Sequence, residues 1–211
     1  MPDQLCLSLW LRGFGQETML RHFGELLRVF PFSRLRPGIV ALRIYAIEFA
    51  EPALLEQAFA AETDAETVIG QAEEFQAPDC ASLVDGWWEL WRYQGGWQLA
   101  PAPVVLTCFG PQFDNEVGDH LRIELGPEAL FLPAEGVPQA ARKAQSNLRG
   151  ILRLARDIRK RLPVERQSLW AESGENFAER LAELEEESCR PRPPLTPWPA
   201  RRSACSSHPP G

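Results

Sequence analysis

From Gln4 to Arg12 the chain alternates, with Leu5, Leu7, Leu9 and Leu11 on one side and Cys6, Ser8 and Trp10 on the other. That period of two predicts a strand. Gly13 and Gly15 break it, and Leu20, Phe23, Leu27 and Phe30 then recur at helical spacing, with Glu17 in the first turn where it suits the helix dipole. The helix should end before Pro31. Beyond Pro37 and Gly38, the run from Ile39 to Phe49 is apolar on both sides apart from Arg43 and Glu48, as in a strand covered on two faces. Strand, helix and strand in this order predict an N-terminal βαβ unit.

Pro52 opens a stretch with Leu54, Leu55, Ala58 and Phe59 at helical spacing, and Asp64 is placed to cap a second short helix bearing Val68, Ile69, Ala72 and Phe75. Two apolar runs, Trp87 to Tyr93 and Trp97 to Phe109, flank Gly95 and Gly96, which predicts an antiparallel hairpin closed by a two-residue turn. That register puts Trp88, Leu90, Trp97 and Leu99 on a core face, and Trp87, Glu89, Trp91 and Tyr93 on the opposite one with Gln98 and Ala100. Pro101 and Pro103 cannot donate to a ladder, so this part of the second strand should lie at an edge or a bulge. Further strands are expected at His120 to Leu125 and at Ala129 to Leu132.

The strongest periodicity begins at Pro138. Ala141, Ala144, Leu148, Ile151, Ala155, Ile158 and Leu162 recur at alternating spacings of three and four, a heptad seam. Arg142, Lys143, Arg149, Arg153, Arg156, Arg159 and Lys160 fall away from it. A last helix is expected from Asn176 to Glu187, completing a helical hairpin. The seven prolines between Cys189 and Gly211 predict a disordered tail. The expected organisation is an α+β body over residues 1–136 on a mixed sheet, a helical hairpin over 137–188 packed on it, and the tail.

Charge sharpens this picture. Residues 1–136 hold 8 arginines against 20 acidic side chains, a net of −12, whereas residues 139–166 hold nine basic residues against Asp157 and Glu165, a net of +7. Such asymmetry predicts pairing of the basic helix with the protein's own acidic body or with the acidic run Glu185 to Glu187, ahead of a docking surface for an acidic partner. The acidic body argues against nucleic acid. No apolar run reaches the roughly 20 residues that span a bilayer. Five cysteines without a CxxC pair, together with an N-terminus lacking the features of a signal peptide, lead us to expect a cytoplasmic protein without a disulfide framework.

Motif chemistry is sparse. Gly13-Phe14-Gly15 between strand and helix echoes a dinucleotide-binding turn, but Thr18 stands where a third glycine would be needed. Asp114, Asn115, Glu116, Asp119 and His120 gather hard ligands in one loop, without the spacing of a calcium site. Neither GxSxG, HExxH nor a P-loop is present, so no catalytic residue, cofactor or metal is assigned, and whether the chain is an enzyme stays open. Four of seven tryptophans lie between Trp87 and Trp97, which marks Trp87, Glu89, Trp91 and Tyr93 as a ligand or partner face. The expected function is a non-enzymatic interaction or regulatory protein that binds a protein partner, or self-associates, through the 138–162 helix with its basic face of Arg142, Arg149, Arg153, Arg156 and Arg159. The alternative is a small-molecule enzyme or binding protein with its pocket at the tryptophan hairpin.

Overall fold

The computed structural model describes residues 3–134 and 136–171. Its seven strands are β1 (Gln4–Leu11), β2 (Ile39–Ala46), β3 (Leu55–Ala58), β4 (Cys80–Tyr93), β5 (Trp97–Phe109), β6 (Leu121–Pro127) and β7 (Val164–Ala171). They form one sheet in the order β3-β2-β4-β5-β6-β1-β7, with α1 (Gln16–Val29), α2 (Ala65–Ala72) and α3 (Ala140–Arg161) completing an α+β fold.

Every neighbouring pair is antiparallel, so the sheet is not mixed. β1 and β2 run in the same direction, as a βαβ unit requires, but β6 and β7 occupy both edges of β1. β4, β5 and β6 therefore lie between the two strands, and α1 crosses the sheet to connect them.

The alternation seen in the sequence sorts the two faces. Leu5, Leu7 and Leu9 of β1, Leu42 and Ile44 of β2, Val84, Trp88 and Leu90 of β4, Leu106 of β5 and Ile123 of β6 form one buried layer. Phe23, Leu26 and Leu27 of α1, Val68 of α2 and Leu148, Ile151, Leu154 and Ile158 of α3 join the same cluster. A smaller cluster on the opposite face joins Ala81, Phe109 and Phe113 to Tyr45 and Leu83.

Local chemistry sets the boundaries. The Asp64 side chain accepts from the Thr67 N–H at 2.8 Å and caps α2 as expected. β2 stops at Ala46 because Ile47 takes a left-handed conformation (φ 71°), sooner than the apolar run to Phe49 implied. Residues 55–58 are a strand, not a helix: the spacing of Leu54, Leu55 and Ala58 fits a short helical turn, but β2 offers its free edge and β3 pairs with it. Residues 128–130 form a 3-10 turn in place of the expected strand.

At the hairpin, Tyr93 pairs with Trp97, so the turn holds three residues, Gln94 to Gly96, and only Gly95 takes a positive φ (72°). The extra residue shifts the register by one and moves Trp97 and Leu99 to the side of Trp91 and Tyr93. Trp88 and Leu90 stay in the core, whereas Leu99 is 43% exposed. β6 pairs with β5 only from Val105 to Cys108, which leaves Pro101 and Pro103 on a free edge as their missing N–H groups require.

After α3 the chain returns at once as β7 beside β1, a strand in the stretch expected only to connect the two arms of a helical hairpin. The segment 176–187 and the proline-rich stretch from 189 lie outside the described residues. Among the described residues no helix is long and apolar enough to cross a membrane.

Candidate functional site

α3 carries its chemistry on two opposite sides. Ala144, Leu148, Ile151, Ala155, Ile158 and Leu162 of the seam are buried, joined by Ala140, Asn147 and Leu154, while Ala141 is exposed. The seam packs against the sheet and α1, so it leaves no apolar stripe for a coiled-coil partner. At about 100° per residue, Arg142, Arg149, Arg153, Arg156 and Lys160 fall within a stripe roughly 60° wide and about 27 Å long, directly opposite that seam.

The four arginines of the stripe are exposed. Among the described residues none of them forms an ion pair, since the pairs present involve Arg28, Arg43, Arg122 and Lys160. Lys160 bonds Asp157 at 2.8 Å on the same helix and holds that carboxyl below its usual range, with Arg156 and Arg153 adding to the effect. Arg159 is exposed and donates to Gln167 of β7 at 2.9 Å. No ion pair joins the basic helix to acidic groups of 1–136 among the described residues, and the other expected partner, Glu185 to Glu187, lies outside them. Arg153 lines a cavity together with Glu89 of β4, without an ion pair between them.

The hairpin residues are engaged to different degrees. Arg36 lies 4.8 Å from the centre of the Trp87 ring. Glu89 Oε1 accepts from Ser33 Oγ at 3.1 Å and from the backbone N–H groups of Arg34 and Leu35 at 2.7 and 3.2 Å, which ties the 33–35 turn to β4. Lys143 Nζ sits 3.1 Å from the centre of the Trp91 ring, a close cation–π contact joining the basic helix to the hairpin. Tyr93 is half-exposed against the edge of Trp97.

β4 extends beyond the end of β2, which leaves a free backbone edge. The segment after α1 covers its lower part, where Ser33 N–H bonds Trp87 O at 2.7 Å. Asn147 covers its upper part at Trp91. Between them opens a cavity of about 370 Å³, whose walls include Phe32, Trp88, Leu90 and Leu154, with Arg34 and Arg153 among its polar groups. Trp88 is 3% exposed and its Nε1–H is the one buried side-chain donor among the described residues without an acceptor.

A third polar centre lies on the opposite face of the sheet. Asp119 accepts from Ser8 Oγ at 2.5 Å, from Arg122 at 2.8 and 3.0 Å and from Asn115 at 2.8 Å. Burial alone would raise the Asp119 carboxyl; the hydrogen bonds from Arg122, Ser8 and Asn115 outweigh it and hold the group below its ordinary value. The adjacent His120 accepts from Leu11 N–H through Nδ1 at 2.9 Å and stacks on Phe14. Serine, aspartate and histidine meet here without forming a nucleophilic triad, because Ser8 is fully buried and its hydroxyl bonds the carboxylate directly. The 114–120 loop likewise turns Asn115 and Asp119 onto Arg122. Cys6, Cys80 and Cys108 are buried and not disulfide-bonded, and burial pushes the Cys108 thiol up, away from the reactive thiolate.

Sequence periodicity pointed to the arginine stripe and to the tryptophan hairpin. It missed Asn147, Arg34 and Gly150, which frame the cavity. The signals for two of them were present: a polar residue beside the seam, and a glycine inside a helix. No family model, curated protein or solved structure matches this chain.

Proposed function

We propose that this chain is a non-enzymatic interaction protein that holds an acidic protein segment against the outer face of α3. One observation supports this above the others: the apolar seam of α3 is spent on the protein's own core, while Arg142, Arg149, Arg153 and Arg156 share one exposed stripe without a direct ion pair among the described residues. Guanidinium groups spaced along one side of a helix match a run of carboxylates, to which each can donate two parallel hydrogen bonds. Lys143, held on the Trp91 ring, extends the basic surface toward the hairpin.

The size of the stripe favours a short acidic segment over a long polyanion. An acidic peptide fits within about 27 Å of helix. Duplex nucleic acid would run on past the stripe and meet the field of residues 1–136, whose net charge is −12. A cytoplasmic setting belongs to the same reading.

Fluorescence anisotropy with a labelled glutamate-rich peptide, compared with a labelled single-stranded DNA of the same total charge, tests the proposal. The peptide should bind at low ionic strength, weaken as salt is added, and lose its affinity in the Arg142→Glu, Arg149→Glu, Arg156→Glu variant. Tighter binding of the DNA, or peptide binding unchanged by the three substitutions, would overturn it.

A further inference from the structure

We propose that the cavity along the free edge of β4 is a binding site for a small amphipathic carboxylate. The inference does not depend on docking on the stripe: of the stripe residues only Arg153 lines the cavity, and the rest of the wall, from Phe32, Trp88, Leu90, Gly150 and Leu154, lies off it. The volume, about 370 Å³, falls in the range of small-molecule sites. Phe32, Trp88, Leu90 and Leu154 supply an apolar wall for the body of the ligand.

Charge at the cavity selects the head group. Glu89 directs Oε1 at Ser33, Arg34 N–H and Leu35 N–H, and Asp157 is held by Lys160, so both acids are already engaged. Arg34 and Arg153 also line the cavity, and neither forms an ion pair among the described residues. Two guanidinium groups without a direct carboxylate bond, beside an apolar wall, fit a carboxylate on an alkyl or aryl body. Trp88 is part of the cavity wall, so its indole resonance reports on what fills the space.

Gly150 is what keeps the space open. It lies inside α3, lines the cavity, and a Cβ built there meets nothing within 4 Å. A glycine within a helix is less favourable than alanine, and no positive φ at this position calls for it.

The probe is decanoate, with decan-1-ol as the uncharged control, followed by calorimetry and by the indole N–H resonance of Trp88, assigned through Trp88→Phe. Decanoate should bind and shift that resonance, decan-1-ol should bind more weakly, and Arg34→Ala should reduce decanoate affinity by roughly tenfold, the scale of one charge-assisted hydrogen bond. Gly150→Trp fills the cavity and should abolish binding with the circular dichroism spectrum unchanged. Arg34 is exposed, so its substitution reports on binding even if the tryptophan variant folds poorly. Equal affinity for acid and alcohol, an unmoved Trp88 resonance, or decanoate affinity unaffected by Arg34→Ala would overturn the proposal.

Discussion

The carboxamide of Asn147 serves the Trp91 backbone as a neighbouring strand would, accepting from its N–H at 2.9 Å and donating to its C=O at 3.1 Å. The same amide nitrogen donates to Leu130 O at 2.8 Å, so one buried side chain joins α3, the free edge of β4 and the turn after β6.

Asn147→Leu removes all three bonds and leaves a buried N–H and two carbonyls unpaired. The expected loss is about 3 kcal/mol in urea unfolding, larger than that of an isosteric surface change. Asn147→Asp keeps the acceptor for Trp91 N–H but sets a carboxylate against two carbonyl oxygens. Burial and those oxygens raise its folded pKa, so the variant's stability deficit relative to wild type should shrink as pH falls, whereas a deficit that grows in acid would contradict this arrangement.

Stability should fall in two stages on acidification. His22 and His120 both titrate below their ordinary value, chiefly through burial, with Arg21 and His120 adding to the effect at His22. A depressed folded pKa gives stability that is complete above the unfolded value, about 6.5, and lost as pH falls toward the folded one. Asp119 contributes the second stage by the same sign: its stabilisation is present above about 3.9 and lost below it. Urea midpoints measured across pH should therefore decline from about 6.5 downward, and Asp119→Asn should cost about 3 kcal/mol at neutral pH by leaving Arg122 without its carboxylate. A midpoint that rises between neutral and mildly acidic pH would refute the histidine assignment.

Two glycines should respond in opposite directions. Gly150→Ala adds a methyl group to open space in a helix and should stabilise by about 1 kcal/mol. At Gly86 a Cβ would lie 2.5 Å from Gly38 O and 2.8 Å from Phe32 Cε1, where the segment after α1 crosses β4. Gly86→Ala should destabilise by roughly 2 kcal/mol or more, because the crossing backbone must move. Thermal midpoints of the two variants check both signs.

Elements with a long, clean period were legible in the sequence. The leucines of β1, the apolar positions of α1 and the seam of α3 each emerge with the side they were expected to bury. Short elements were not. β3 has four residues, too few to separate a helical from an extended spacing, and the decision fell to the free edge of β2. β7 follows α3 with no break beyond Pro163, and its mixed burial gives little alternation to detect. The hairpin was read correctly as a hairpin, but its register depended on a single extra turn residue, Gln94. The cavity was illegible because its walls come from segments more than a hundred residues apart, from Val29 to Asp157.

The most direct test of the account compares two triple variants of α3. Leu148→Ala, Ile151→Ala, Ile158→Ala removes the buried seam, and Arg142→Glu, Arg149→Glu, Arg156→Glu reverses the stripe. The account predicts that the seam variant unfolds, since each buried truncation costs roughly 2–5 kcal/mol. The stripe variant should keep the wild-type melting temperature to within a few degrees and lose the glutamate-rich peptide. A stripe variant that melts as early as the seam variant, or that still binds the peptide with wild-type affinity, would contradict it.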